Sequence, residues 1–502
     1  MARYLLRIGF CLLPLALAGC VAGPNYAPPR PSSLGADGHY VAPLPLLSPI
    51  SAQPAPAAWW RQFGDPDLSV LVERAVADNL DVAVASSRLL QAREAAIQAG
   101  AARVPRLGAN AGIARNGYVS GRPVTTFPGA GGNTFTASSA DTTNLSISSD
   151  ASYTVDLFGA IARSVEAARA NADAAALDVA ALRVTIAADT ANTYIQGRIA
   201  QDRLAIARDS LANADNNVEI AQWRVRAGLV SATDVEQARA QRAQQRVALP
   251  LLETSIANAA SNLAVLTGQA PQATAAVFAQ PRAIPQPPAG FAVGVPADTL
   301  RQRPDVVASE RRLAAASAQI GVAQAQLYPT LSLTGNLASN ASGLSGVLNQ
   351  ISFGLAGNLA QTIFDGGRLR SQLRSQKAAA TGSLADYRRT VLGALRDVET
   401  ALQNLWSAQA RLASQREAVD AAQASAIYAR SRYQSGLIDF TTLLTIENQL
   451  LSARDGYAST AGDRALAAVQ LYAALGGGFA PASSANPADT TAPMTPAETP
   501  AP

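Results

Sequence analysis

The sequence predicts an α+β membrane protein with an internal duplication. Two stretches without proline, about 161–227 and about 368–435, predict helices that each reach on the order of 100 Å, far beyond a globular core. Four shorter segments carry apolar residues at alternate positions, which is typical of strands that face lipid on one side. Landmarks in the second half repeat those of the first half 208 residues later.

The N-terminus has the pattern of a bacterial lipoprotein signal. Arg3 and Arg7 precede an apolar run over residues 8–18, small residues follow, and then comes Cys20. The alternative is an ordinary signal peptide with a chance cysteine. We expect residues 1–19 to be removed and Cys20 to carry a covalent lipid. Bacterial lipoproteins that are kept at the inner membrane have Asp directly after the lipidated cysteine, whereas this sequence has Val21. By resemblance to bacterial lipoproteins, we therefore expect the protein in the outer membrane.

The rest of the chain divides by composition and by the repeat. Residues 20–58 are rich in Pro and Ala and predict an extended tether without a core, and residues 479–502 predict a disordered tail. Between them lie two repeats, 59–285 and 296–478, each in the order helix, two strands, very long helix, tight turn and returning helix.

Residues of the same or a similar type recur at a fixed spacing in the two repeats. Pro105 matches Pro329 at a spacing of 224, so the first repeat has 16 extra residues, which we place in the Gly- and Thr-rich loop near residue 130. Duplication of one unit explains this register. The pairs at a spacing of 208 are Asp189 with Asp397, Gly228 with Gly436, Leu229 with Leu437, Leu266 with Ala474, and Gly268 with Gly476.

Heptad patterns predict that the helices pack side by side. Apolar residues recur three and then four apart, and the many alanines allow close approach of the helix axes. Pro250 predicts a kink or a break in the first returning helix. The seams comprise Leu204, Ala207, Leu211, Ala214, Val218, Ala221 and Val225; Leu412, Val419, Ala422, Ala426, Ala429 and Tyr433; and Leu249, Leu252, Ile256, Ala259, Leu263 and Leu266.

The alternating segments predict strands that are apolar on one side only. An open four-stranded sheet cannot span a membrane, because its edge groups would lack hydrogen-bond partners in lipid. Copies must therefore close it, and three copies give a twelve-stranded barrel with an open lumen. A soluble sheet with one buried face is the alternative. The apolar positions are Leu107, Ala109, Ala111 and Ile113; Leu145, Ile147, Ala151, Tyr153, Val155 and Leu157; Leu331, Leu333 and Leu337; and Ile351, Phe353, Leu355, Leu359 and Ile363.

Composition argues against an enzyme. His39 is the only histidine and lies in a Pro-rich stretch, so histidine-based catalysis and histidine metal sites have no candidates. The formal charge of +4 is too close to neutral to indicate nucleic-acid binding. The Gly-rich residues 129–132 are not followed by the Lys-Ser/Thr of a phosphate loop. We expect no catalytic residues, no metal and no cofactor other than the lipid on Cys20.

Several motifs resemble those of the TolC-like outer-membrane factors, specifically the lipoprotein branch of the OprM and NodT type. The resemblance covers nearly everything from Cys20 to Gly477. The residues that carry it are 23–26 (Gly-Pro-Asn-Tyr), Trp60, 63–68 (Phe-Gly-Asp-Pro-Asp-Leu), 301–305 (Arg-Gln-Arg-Pro-Asp), 320–323 (Ile-Gly-Val-Ala), 327–329 (Leu-Tyr-Pro) and 364–367 (Phe-Asp-Gly-Gly).

The resemblance implies a homotrimer in which a twelve-stranded β-barrel continues into a long periplasmic α-helical barrel. It implies a passive exit duct for drugs, dyes, solvents or metals, joined to a periplasmic adaptor protein and a proton-driven inner-membrane pump. The alternatives are the outer-membrane channel of a type I protein-secretion system, which Cys20 disfavours, and a coiled-coil lipoprotein without a channel, which the strands disfavour.

Two groups of residues follow as candidate sites. The tight turns would dock the adaptor, because each combines a glycine with apolar residues that we expect to be exposed. They comprise Gly228, Leu229, Val230 and Ser231, and Gly436, Leu437, Ile438 and Asp439.

The second group is the periplasmic gate. Where OprM-like channels narrow with an apolar residue, an Asp and an Arg, this sequence has Thr441, Thr445 and Asn448. Thr441 and Thr445 are four apart and should share one helix face, whereas Glu447 should face a neighbouring helix. A ring of hydroxyl groups lacks the fixed negative charge that favours cations, so we expect weak block by divalent cations.

Overall fold

The computed structural model describes residues 21–30, 50–51, 56–117, 119–121, 124–128, 134–138, 141–288, 290–292, 303–341, 349–477 and 479. Cys20, the signal sequence and nearly all of the predicted tail lie outside the described residues. The chain forms two compact units. The strand unit takes its described residues from 1–27, 91–172 and 312–384, and the helical unit takes its own from 28–90, 173–311 and 385–502.

The second repeat has the predicted order of elements, whereas the first has a second helix before its strands, two extra strands and a short helix after the returning helix. Helices are α1 (Pro66–Asp78), α2 (Leu80–Ala101), α3 (Ala160–Arg226), α4 (Ala232–Leu266), α5 (Pro271–Thr274), α6 (Pro304–Ala325), α7 (Arg368–Gln434) and α8 (Phe440–Ala474). Strands are β1 (Ile50–Ser51), β2 (Arg106–Asn116), β3 (Val124–Pro128), β4 (Thr134–Ser138), β5 (Thr142–Val155), β6 (Phe291–Ala292), β7 (Thr330–Ala341) and β8 (Ile351–Ala360).

The two long helices, α3 and α7, contain 67 residues each, as their proline-free sequences predicted. Their heptad positions are buried or half-buried throughout the helical unit, which confirms the predicted seams. The returning helix α4 runs unbroken through Pro250, so a break at this point was wrong. Proline removes the helical partner of the Arg246 carbonyl, but both residues are exposed and water can replace it.

The strand unit contains one four-stranded antiparallel sheet in the order β2-β5-β7-β8, formed by the four predicted segments. Leu157 and Ile363 were predicted in strands but lie beyond the strand ends. After β5 the chain leaves the sheet so that Asp156 can accept hydrogen bonds from Ile161 and Ala162 at the start of α3. Asp365 accepts equivalent bonds from Gly367 and Leu369 before α7. In each repeat, helix capping ends the strand.

The Gly- and Thr-rich loop near residue 130 contains a hairpin that the sequence did not predict. Strands β3 and β4 pair antiparallel, with Thr126 opposite Thr136. Five-residue strands without a regular apolar alternation give too weak a pattern for recognition from sequence.

The expected tether is not free of contacts. The backbone N–H of Ala22 donates to Phe158 in the strand unit, and the buried Arg163 donates to the carbonyl of Ala22 and to the Asn25 side chain at 2.6 Å. A Cβ atom on Gly23 would lie 2.4 Å from the backbone of Gly321, so this contact requires glycine. A tether without packing is therefore wrong for residues 21–26. It is also wrong for β1, whose backbone pairs in parallel with β6.

The helical unit is centred on an aromatic and aliphatic core. Trp59, fully buried, stacks on Tyr472 of α8 with ring centroids 5.2 Å apart. Leu402 and Leu405 of α7 and Ile195 of α3 complete the same cluster. Both repeats thus contribute to one core.

Candidate functional site

The four-stranded sheet presents a large apolar face to its surroundings. Along β8, Phe353 is 86% exposed, Leu355 is 85% exposed and Leu359 is 65% exposed. Ser352 and Asn358 occupy the alternating positions, so they lie on the other face of the strand. Within the described residues, β2 and β8 each pair with a single strand, which leaves two open edges. Exposed apolar residues at alternate positions match the lipid face of a membrane barrel.

The two tight turns of the helical unit have the same backbone geometry. Gly228 has φ +72° and Gly436 has φ +74°, a left-handed conformation that favours glycine. In each turn the N–H of the following leucine reaches back to the last turn of the helix: Leu229 donates to Arg224 and Leu437 to Arg432. The turns are therefore true structural repeats.

The next helix begins with a polar cap in both turns. Ser231 accepts a hydrogen bond from the N–H of Thr233, and Asp439 accepts one from the N–H of Thr442 at 2.7 Å. Hydrogen bonds from the side chain and backbone of Thr442 hold the pKa of Asp439 below its ordinary value. Two of the predicted docking residues thus cap helices.

The apolar residues of the turns are not equally exposed. Leu229 is 67% exposed and Leu437 is 73% exposed, as predicted. Val230 and Ile438, which we also expected to be exposed, are half-buried. Ile438 packs against the cluster that contains Phe440 and Leu443, because the turn directs it back between the helices.

One contact joins the turns of the two repeats within the chain. The guanidinium of Arg224 lies 4.5 Å from the centre of the Tyr433 ring and donates to the Tyr433 carbonyl oxygen at 2.7 Å. This contact was not predicted, because an arginine and a tyrosine distant in sequence give no signal of their pairing.

The predicted gate residues lie near the start of α8. Thr441 and Thr445 are both exposed, and the Thr445 hydroxyl donates to the Thr441 carbonyl, as expected for residues on one helix face. Asn448 accepts a hydrogen bond from Gln241 of α4 at 2.6 Å, so its side chain bridges two helices. Glu447 accepts from Arg430 of α7 and from Asn217 of α3, which confirms that it faces neighbouring helices.

The Arg-Gln-Arg-Pro-Asp motif has a structural role in the helical unit. Arg303 pairs with Asp305 and Asp397 and donates to the carbonyl oxygen of Ala474 at 3.1 Å. The equivalent contact in the first repeat is made by Asn79, which donates to the carbonyl oxygen of Leu266. Both contacts join equivalent elements of their repeat, so Arg303 of the motif and Asn79 help to hold the fold of each repeat.

The described residues contain neither a membrane-spanning helix nor a metal-binding cluster. No helix within the described ranges is both long and apolar enough to cross a membrane. Among the described residues, no cluster of His, Cys, Asp and Glu side chains has the composition of a metal site.

Comparisons with known proteins identify the family. The outer membrane efflux protein family model matches residues 71–269 and 295–477. The chain belongs to this family. It is 32% identical to the pyoverdine export outer membrane protein OpmQ of Pseudomonas putida, covering 93% of this chain and 97% of that protein. It is 27% identical to the probable outer membrane lipoprotein SilC of Salmonella typhimurium, covering 92% and 96% of the two chains.

Solved structures agree with this assignment. The outer-membrane channel OprN has a TM-score of 0.80 and 32% sequence identity, covering 92% of this chain and all of the other. This member of the family therefore has the fold of the TolC-like channels, resides in the outer membrane and serves as the outer-membrane component of an efflux system.

Proposed function

We propose that three copies of the chain close their sheets into a twelve-stranded barrel and their helices into a tube, which forms a passive exit duct. The open edges of β2 and β8, together with the exposed apolar face of the sheet, carry this proposal. In lipid every edge N–H and C=O group needs a partner, and neighbouring copies supply it. Three copies leave a lumen, whereas eight strands from two copies would enclose an interior suited to side chains alone.

The duct conducts small molecules that a proton-driven inner-membrane pump delivers through a periplasmic adaptor protein. Related proteins named for pyoverdine export, toluene efflux and cation efflux support a small cargo such as drugs, dyes, solvents or metals. The test is single-channel recording of the purified protein in a planar bilayer. Discrete conductance steps from a preparation whose mass equals three chains support the proposal. A non-conducting protein, or a single chain, contradicts it.

The adaptor docks on the turns through Leu229 and Leu437, the two apolar residues that the turns leave exposed. Leu437→Asp is expected to reduce drug resistance in cells strongly while the thermal stability of the protein stays unchanged. Ile438→Asp is the matched comparison: it buries a charge in the cluster around Phe440 and lowers the melting temperature. Unchanged resistance in Leu437→Asp, at normal expression, contradicts docking here.

The gate is a ring of Thr441 and Thr445 hydroxyl groups, which binds divalent cations weakly. Thr445→Asp places three carboxylates in the ring of a trimer and is expected to strengthen divalent block and raise cation selectivity. Bilayer recordings with and without a divalent cation measure both effects. Strong block of the wild type, or an unchanged block in Thr445→Asp, locates the constriction elsewhere.

The anchor is a lipid on Cys20. Support comes from the signal pattern and from the likeness to a protein named as a probable outer membrane lipoprotein. The contacts of residues 21–26 with the strand unit would keep this anchor beside the sheet. Mass spectrometry of the mature N-terminal peptide is expected to show an acylated Cys20, and an unmodified thiol in membrane-derived protein contradicts the anchor.

A further inference from the structure

The two repeats meet inside the helical unit through polar contacts on the long helix α3. Arg224 of α3 donates to the Tyr433 carbonyl at the turn, and Asp209 of α3 accepts from Arg454 of α8 at 2.6 Å. Both contacts join the long helix of the first repeat to the second repeat. They define how one repeat follows the other within a chain.

The residues that make these contacts have counterparts of the same chemistry 208 positions away. Asp209 corresponds to Glu417 of α7, Arg454 to Arg246 of α4, and Arg224 to Arg432 of α7. Tyr433 corresponds to Val225, whose carbonyl oxygen can accept a hydrogen bond as that of Tyr433 does. The counterpart positions thus contain an acid and two arginines, Glu417, Arg246 and Arg432, that take no part in these contacts between the repeats of one chain.

These counterparts are unused within a single chain. Glu417, Arg246 and Arg432 are all exposed, and their side chains make no ion pair or hydrogen bond within the described residues. In the part of the chain that the structure describes, no side-chain hydrogen bond or ion pair joins α4 to α7 either. Helix α4 pairs with α3 and α8, whereas α7 pairs with α3 and α8 through other residues. The two helices share apolar clusters, but the exposed polar side chains of Arg246 on α4 and Glu417 on α7 remain available to another copy.

We infer that these side chains form the seam between copies: Glu417 of one copy pairs with Arg246 of the next, and Arg432 donates to the Val225 carbonyl of the next copy. This inference rests on the proposed ring of three copies. In such a ring the first repeat of the next copy follows the second repeat of this one, just as the second repeat follows the first within a chain. The acid then lies on the long helix and the arginine on the returning helix at every junction.

At the tight turns, the seam between copies differs from the junction between the two repeats of one chain. Arg224 lies over the Tyr433 ring, whereas Arg432 would meet Val225, which has no aromatic face. A cation–π contact therefore reinforces only the junction within the chain. Of the two kinds of junction around the ring, the seam between copies is the weaker one at the turn.

Cysteine cross-linking tests the seam directly in the full-length protein. The pair Glu417→Cys and Arg246→Cys is expected to join chains through a bismaleimide linker, giving dimers and trimers in denaturing gels. The sequence has just two native cysteines, Cys11 and Cys20, both near the N-terminus, so the unsubstituted protein controls for background. The matched control pairs Glu417→Cys with Arg239→Cys, since Arg239 lies on the same helix but bonds Glu236 of its own chain. This control should cross-link far less.

Charge reversal gives a second readout that misfolding cannot imitate. Glu417→Arg and Arg246→Glu should each lower the temperature at which the oligomer dissociates, and the double variant should restore it. The combination of Glu417→Arg with Arg239→Glu should not restore the dissociation temperature. A preparation whose mass equals three chains, but which shows neither cross-linking nor rescue, overturns the seam and leaves the ring intact. A wild-type protein that remains a single chain overturns the ring, and the seam with it.

Discussion

Arg198→Ala is expected to lower the free energy of unfolding of the helical unit by several kcal/mol, because each buried acceptor left without a donor costs about 1–3 kcal/mol. The Arg198 side chain has no exposed surface, and its guanidinium lies 4.8 Å from the centre of the Tyr194 ring. Its removal takes a donor from several acceptors. These are Gln201 at 2.7 Å, the carbonyls of Gln280 at 3.0 Å and Val277 at 3.2 Å, and the Tyr194 hydroxyl at 3.0 Å. Asp67, at 3.3 Å, keeps its second partner Arg282 at 3.0 Å.

Arg208→Ala is the matched control on the same helix. Arg208 pairs with Glu253 at 2.9 Å, but the two side chains are 61% and 54% exposed. Exposed pairs of this kind contribute about 0.2–1 kcal/mol. Thermal unfolding followed by circular dichroism in detergent compares the two variants. If Arg198→Ala melts no earlier than Arg208→Ala, the buried network does not hold α1 and the segment after α5 against α3.

The long helices and the main strands could be predicted because their patterns are local and repeated many times. A heptad seam over α3 and α7, or an alternation over a ten-residue strand such as β8, depends on neighbouring residues alone. The repeat strengthened each of these predictions, because a pattern in one half could be checked against the other half.

The contacts of Arg198 and Arg224 could not be predicted from sequence. Each arginine finds partners far along the chain, as Arg198 does with Asp67 and Arg224 with Tyr433. Arginines on a long helix usually face water, so their type gives no sign of burial. Their positions depend on which helices pack together, which the periodicity of one helix does not determine.

The two tight turns could also be predicted only in part. Their glycines and caps were visible in the sequence, because a left-handed residue and an N-cap have strong residue preferences. The exposure of Leu437 was also predicted, but the half-burial of Ile438 was not, since adjacent residues of a turn point in different directions. A charge at Leu437 therefore tests docking, whereas a charge at Ile438 tests stability.

Leu355→Arg is expected to prevent most of the protein from assembling in the outer membrane. Leu355 is 85% exposed on the apolar face of β8, an edge strand of the sheet. An arginine on the lipid face of a membrane barrel costs about 2–4 kcal/mol near the bilayer centre. The proposed ring of three copies would carry three such residues, so the cost of insertion rises with each copy.

Asn358→Arg provides the control, because Asn358 lies on the same strand with its side chain on the opposite face. If that face lines a wet lumen, arginine remains hydrated there and assembly proceeds. Membrane fractionation and the yield of assembled oligomer measure both variants at equal expression. Equal assembly of Leu355→Arg and Asn358→Arg would show that the apolar face meets protein instead of lipid, and the sheet would then need another partner for Phe353 and Leu359.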